Sequence, residues 1–232
     1  MAKYCLPIIK ETKEEVLALI SENPDYDYYE IWLSYIKDLD MDFIWKLSDQ
    51  YNGKLVFLFR KQNLEKSEIE KEFREKIIKL LERSENYLDF DINDGSWGLD
   101  FVKAEKLNNK IIASFHNYET TPDETELNIV VKDMERYKPE IYKFSTLCKY
   151  PQDSLKLLTL LLKLKEDKKK FLVFGMGDEG RMVRIYGALW GNEFNFAPVS
   201  EDEKSAPGQM TIIDMEKIIN LLDSGSSRSD RI

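Results

Sequence analysis

Eight short apolar runs alternate with helical patterns along this chain, and nothing else in the sequence restricts its fold as strongly. The strand-like runs cover residues 4–9, 28–35, 54–60, 87–92, 110–116, 140–145, 170–176 and 194–198. Their centres are rich in β-branched and aromatic residues and apolar on both faces. That is the pattern of parallel strands covered by helices. The segments between them carry helix signals. Thr12-Lys-Glu-Glu15 reads as a capping box. Within residues 66–83, Ile69, Phe73, Ile77, Ile78 and Leu81 recur near a 3.6-residue period. Thr121-Pro122-Asp-Glu124 places threonine at an N-cap and proline at the first helical position. Residues 151–164 begin with proline and carry a leucine stripe, and 210–222 form the last helix.

Eight β–α units within 222 residues point to a single-domain α/β fold, a (β/α)8 TIM barrel spanning residues 1–222. The polar stretch 223–232 is expected to be a loose tail. An open doubly wound sheet is the runner-up. It would more naturally carry a glycine-rich turn after the first strand, and Pro7-Ile-Ile-Lys-Glu-Thr12 is not one.

Composition narrows the function. The formal net charge of −9 argues against nucleic acid as a partner, because phosphate binding would work against the overall field. The densest basic stretch, 163–170, reads as a solvated helix end before a strand. Cys5 and Cys148 lack metal-ligand spacing and sit in apolar surroundings, so buried free thiols are expected. No apolar run is long enough for a bilayer span or a signal peptide, which makes the cytoplasm the expected compartment and a membrane partner unexpected.

In a barrel of this kind, functional residues gather at the C-terminal ends of the strands. Glu30 lies in the second strand, Arg60 ends the third, His116 ends the fifth, Lys143 lies in the sixth and Met176 ends the seventh. Polar residues in otherwise apolar strands need a partner or a use. His116 is the one histidine in the chain, and by default a lone histidine is structural. Lys143 interrupts a run that would otherwise make a buried strand. Desolvation there is expected to lower its pKa and leave free amine, which can attack a ketone or aldehyde. On adjacent strands the two side chains would share one mouth, with lysine as electron sink and histidine as base. Two further segments fit a ligand. Gly175-Met-Gly-Asp-Glu-Gly180-Arg-Met-Val-Arg184 opens a helix and would turn backbone N–H groups and arginines toward an anion. Phe196 with Ser205-Ala-Pro-Gly-Gln209 fits a loop closing over a bound molecule.

Ser-Phe-His-Asn-Tyr-Glu-x-Thr-Pro, a lysine 27 residues beyond that histidine, Met-Gly-x-x-Gly-x-x-x-Arg, Phe-Ala, and Ser-Ala-Pro-Gly-Gln occur here in order. The chain thereby resembles type I 3-dehydroquinate dehydratases, the Schiff-base enzymes of the shikimate pathway, from about Tyr4 to Leu222. The resemblance implies a (β/α)8 barrel that is often dimeric, with 3-dehydroquinate as small-molecule substrate and no metal or organic cofactor. It implies His116 as general acid/base and Lys143 as the imine-forming lysine. It implies Glu30, Arg60, Arg184, Ser205 and Gln209 as substrate contacts, with Met176 and Phe196 as apolar walls. Arg184 rather than Arg181 falls on the carboxylate-binding position.

The chain departs from the family pattern at three places. The usual Glu-x-Arg-x-Asp of the second strand is Glu30-Ile-Trp32-Leu-Ser34 here. Loss of a charged contact of that kind costs ~1.5–3 kcal/mol. The Glu-Gly-Gly after the third strand is replaced by Asn63-Leu-Glu65-Lys, with Glu65 as the candidate for the acid that supports the histidine. The closing loop looks two residues longer, with the acidic insert Glu201-Asp-Glu203. Two rival readings remain open beside dehydration of 3-dehydroquinate. One is a Schiff-base lyase or aldolase acting on another oxo acid; the other is a barrel that binds a metabolite or protein without turnover.

Overall fold

Strand and helix alternate without interruption through the computed structural model, which describes residues 2–65, 67–93 and 96–223. The strands are β1 (Tyr4–Ile8), β2 (Tyr28–Trp32), β3 (Leu55–Leu58), β4 (Tyr87–Asp91), β5 (Lys110–Asn117), β6 (Ile141–Leu147), β7 (Phe171–Met176) and β8 (Asn195–Phe196). Each is followed by a helix: α1 (Lys13–Glu22), α2 (Met41–Gln50), α3 (Lys71–Leu81), α4 (Trp97–Glu105), α5 (Glu124–Glu135), α6 (Pro151–Glu166), α7 (Arg181–Trp190) and α8 (Ile212–Asp223). Neighbours from β1 to β7 pair in parallel, and β8 pairs with the free side of β1. Between β7 and β8, side chains and loop backbone take over from the ladder. Glu193 N–H donates to Phe171 O at 3.0 Å, and the Asn192 amide bridges Val173 and Asn195. The result is a nearly closed (β/α)8 barrel.

Two apolar cores follow from the two faces of the strands. The larger lies between sheet and helices and includes Ile77 and Ile78 of α3, Leu157 and Leu161 of α6, and Phe57, Phe144 and Val173 of the strands. The smaller fills the barrel itself with Cys5, Val56, Ile112, Ile141 and Leu172. Tyr28, Tyr87 and Phe194 close its lower end, with ring centroids 6.4 and 4.7 Å apart from Tyr28. Side chains alternate along a strand with period two. The inward row therefore runs Tyr87, Asp89, Asp91 on β4 and Ile141, Lys143, Ser145 on β6, apolar at the bottom and polar toward the C-terminal mouth.

Three local expectations are corrected. β2 ends at Trp32, and Leu33–Tyr35 is a 3-10 turn. There the Ser34 hydroxyl donates to the Phe59 carbonyl and meets Ser67 Oγ, offering the chain an alternative to the ladder. The helix read from residue 66 starts at Lys71. The N-cap of α5 is Asp123, in a capping box with Glu126. Thr121 instead bonds inward, to Thr146 Oγ1 at 2.8 Å and Leu147 O at 2.9 Å. Cys5 and Cys148 are buried free thiols, and α6 ends just inside the basic stretch. Residues 224–232 of the expected tail lie outside the described residues.

The turn after β7 needs its glycines for packing. A Cβ on Gly175 would stand 2.5 Å from Gly180 Cα and 3.0 Å from Cys148 Sγ. Gly175→Ala should therefore lower stability by about 1–3 kcal/mol through overpacking. The check is the urea midpoint at constant m-value.

Candidate active site

The polar ends of the inward rows meet in one cavity at the barrel mouth, with about 380 Å3 of unfilled space, its open entrance included. Glu30, Trp32, Arg60, His116, Lys143, Met176, Arg184, Phe196, Ser205 and Gln209 all line it. Of the residues singled out from the sequence, Glu65 alone stays away, exposed on the loop between β3 and α3.

Lys143 stands beside Ser114 and Leu172 in the ladder, and its amine reaches the barrel axis. It donates to Asp89 Oδ2 at 2.7 Å and to Glu30 Oε1 at 3.0 Å, and lies 4.5 Å from the centre of the Phe196 ring. Burial pulls its pKa down, but the carboxylates of Asp89 and Glu30 outweigh burial and hold it above the ordinary lysine value. This overturns the expected free amine: the resting residue is an ammonium, because burial came with two anions.

Asp89 is the hub. It accepts from Arg60 Nη1 at 2.9 Å, Arg60 Nη2 at 3.3 Å, Ser114 Oγ at 2.5 Å and Lys143 Nζ. Desolvation would raise its pKa, yet Arg60 and Lys143 push it far below the carboxylate range. Arg60 is thereby largely spent on Asp89. Only its Nη2 also reaches the catalytic candidate, 3.4 Å from His116 Nε2, and its buried Nε has no partner.

His116 is held from its other nitrogen. Nδ1 meets Asp91 Oδ2 at 2.6 Å, and the Asn93 amide caps the His116 carbonyl at 3.0 Å. Asp91, on β4, fills the supporting role expected of Glu65. A guanidinium can only donate, so Nε2 accepts and Nδ1 carries the proton toward Asp91. Desolvation and then Arg60 lower the pKa below the usual histidine value, against the pull of Asp91. The imidazole is neutral at pH 7, with Nε2 at the cavity wall beside Arg60 Nη2. Tyr118 stacks on it at 6.1 Å, and burial raises the phenol's pKa.

The anion-facing side is different. Arg184 is buried, its Nε donates to Gly175 O at 3.0 Å, and no ion pair with it occurs among the described residues. Desolvation pulls its pKa down to about 10. A buried guanidinium with spare donors is a site for a carboxylate. Arg181 is exposed and pairs with Asp178. The glycines expected to cradle an anion serve the turn instead. Gly177 N–H donates to Pro207 O at 3.2 Å, and Gly208, at φ +80°, packs on Gly177.

The loop after β8 is tied down at three points. Glu203 of the acidic insert pairs with Lys10 beyond β1 at 3.0 Å, and Gln62 beyond β3 donates to Ser205 O at 3.1 Å. Gln209 Oε1 accepts from the Ser205 and Ala206 N–H groups, and its Nε2 donates to Ser205 Oγ at 2.8 Å. Trp32 fills the opposite wall, its indole N–H on Glu30 Oε2 at 2.8 Å and its ring 5.7 Å from the Arg60 guanidinium. Among the described residues no cluster of three or more His, Cys, Asp and Glu could hold a metal ion.

A model of the family "Type I 3-dehydroquinase" matches residues 4–226. The chain belongs to the type I 3-dehydroquinase family. It is 27% identical over 221 residues to 3-dehydroquinate dehydratase of Coxiella burnetii, which covers 92% of this chain and 91% of the relative. It is 30% identical over 201 residues to the enzyme of that name from Thermococcus onnurineus, covering 86% and 89%. The fold superposes on the crystal structure of 3-dehydroquinate dehydratase from Geobacillus kaustophilus with a TM-score of 0.80 at 22% identity, over 97% of this chain and 93% of the other. The type I enzyme of Clostridium difficile gives a TM-score of 0.78 at 22% identity, over 97% and 93%.

Sequence reasoning missed Asp89, Asp91, Tyr118 and Ser145. Asp89 and Asp91 had a signal: two carboxylates at alternate positions of an apolar strand, the same anomaly that marked Lys143.

Asp89→Asn leaves two buried cations short of an anion and should cost about 3–5 kcal/mol at neutral pH. The folded pKa is depressed, so the carboxylate's contribution is complete above its unfolded value near ~3.9 and is lost as pH falls below it. Urea midpoints from pH 7 to pH 3 should show the gap between wild type and Asp89→Asn narrowing on acidification.

Proposed function

We propose that Lys143 forms the imine and His116 moves the protons in dehydration of 3-dehydroquinate to 3-dehydroshikimate, the Schiff-base reaction of this family. The chain is a lyase of the type I 3-dehydroquinate dehydratase class. The observation that carries the residue assignment is a buried lysine and a neutral histidine, each held by its own aspartate, facing one cavity that also contains an arginine without a carboxylate partner.

The lysine ammonium first loses a proton to solvent at the open mouth of the cavity. The free amine adds to the C3 ketone, and loss of water leaves a protonated imine. The C2 proton is acidified by this electron sink, and His116 Nε2 removes it. The electron pair forms the C1–C2 double bond as the C1 hydroxyl departs, protonated by His116. Hydrolysis of the imine releases 3-dehydroshikimate and returns Lys143.

Arg184 is assigned the substrate carboxylate, where a bidentate pair fixes the ring as well as binding it. Ser205 and Gln209 present polar groups from the closing loop, while Met176 and Phe196 form apolar walls. Glu30 accepts from a substrate hydroxyl once Lys143 is bonded to carbon. Arg60 lines the same wall and steers His116 through Nη2. Asp91 keeps Nδ1 protonated, so that Nε2 is the basic atom.

Borohydride added with 3-dehydroquinate should leave a stable mass on Lys143, located by peptide mapping. Lys143→Ala should yield no adduct. His116→Ala should still yield one but lose about 10²–10⁴ in the rate at which enone absorbance appears. Adducts only with other oxo acids would move the substrate assignment, and full activity in His116→Ala would refute its role.

Asp91→Asn should retain imine trapping while slowing elimination by about a hundredfold, because the amide no longer enforces the tautomer. Single-turnover measurement separates the two steps.

A further inference from the structure

Glu30 is held from both sides. Its Oε1 accepts from the Lys143 ammonium at 3.0 Å, and its Oε2 accepts from the Trp32 indole N–H at 2.8 Å. All three side chains are buried, at 2%, 3% and 5% exposure for Glu30, Lys143 and Trp32, so water does not compete freely for these bonds. Trp32 sits two residues beyond Glu30, at the end of β2, where both side chains point into the barrel. Its ring packs on Arg60 and on Tyr35.

We propose that Trp32 is a positioning residue for the Lys143 amine: its indole N–H fixes the Glu30 carboxylate against the lysine, and so sets the lower pH limit of imine formation. This rests on Lys143 being the imine-forming residue. A carboxylate held beside an ammonium favours the charged form of the lysine. With Trp32 in place, Glu30 stays seated on Lys143 and helps keep the proton on nitrogen. Without the N–H, the carboxylate is free to turn away, and free amine becomes available at lower pH. Lys143 also faces Arg60 from beyond β3, Asp89 from β4 and His116 from β5, with Cys5 on β1 and Tyr118 above β5. β7 and β8 turn the uncharged Leu172, Phe174, Met176 and Phe196 into the barrel. Among these groups Glu30 is the one that Trp32 touches by a hydrogen bond.

Trp32→Phe keeps an aromatic face toward Arg60 and removes the donor. The test is the rate of adduct formation on Lys143 with 3-dehydroquinate and cyanoborohydride across pH 6 to 11.5, a range that reaches the titration of a lysine held above its ordinary value. The pH of half-maximal trapping should fall by at least half a unit, about threefold in free amine below the midpoint. In a Glu30→Gln background the same substitution should move it no further, because the effect acts through the carboxylate. An unmoved or raised midpoint, or an equal shift in both backgrounds, overturns the proposal. Absence of any adduct in the unaltered enzyme instead overturns the imine assignment. Indole 15N NMR gives a second readout that needs no Trp32→Phe protein for kinetics. The Trp32 Nε1–H resonance should move on Glu30→Gln, and an unmoved resonance overturns the proposal.

Discussion

One buried carboxylate organises the mouth of this barrel. Asp89 sits between Arg60 and Lys143 with no exposure to water, and both cations would be untenable at that depth without it. Removing an ion from water costs several kcal/mol, so a buried cation is either neutralised or given an anion. The chain uses the second solution. Lysine is thus stored as an ammonium on a strand, paired with two carboxylates.

The same carboxylate sets the geometry of the neighbouring histidine. Arg60, drawn onto Asp89, places Nη2 beside His116 Nε2, and Asp91 one step along β4 takes Nδ1. Two aspartates separated by one residue on a strand share a face, so β4 serves the lysine with one and the histidine with the other. Lys143 and His116 therefore sit on strand positions. The loop after β8, tied to Gln62 and Lys10, and Arg184 of α7 complete the cavity.

Much of this was legible in the sequence. The eight-unit rhythm carries the barrel because parallel strands buried on both faces read as continuous apolar runs. Lys143 and Glu30 stood out as ionisable residues within such runs. The capping box at Thr12 was readable because it is local, and its two hydrogen bonds form as read. Thr121 misled for the opposite reason. Its local pattern fits an N-cap, but a tertiary partner on β6 claimed the hydroxyl and the cap passed to Asp123. Glu65 misled because a carboxylate near the expected place in sequence was not near in space. The pKa of Lys143 could not be read from burial alone, since its direction depends on which anions burial brings with it.

The sequence by itself determined the barrel, the alternation that turns one row of side chains inward, and the presence of one lysine and one histidine in that row, because each depends on residue type and period. The tertiary structure alone decided the electrostatic state of these two residues. Whether Lys143 is amine or ammonium and which acid supports His116 depend on distances of about 3 Å between residues of different strands, and the Trp32–Glu30 bond depends on how the end of β2 turns its side chains. Coulomb and hydrogen-bond energies change steeply over such distances, and no spacing along a sequence records them.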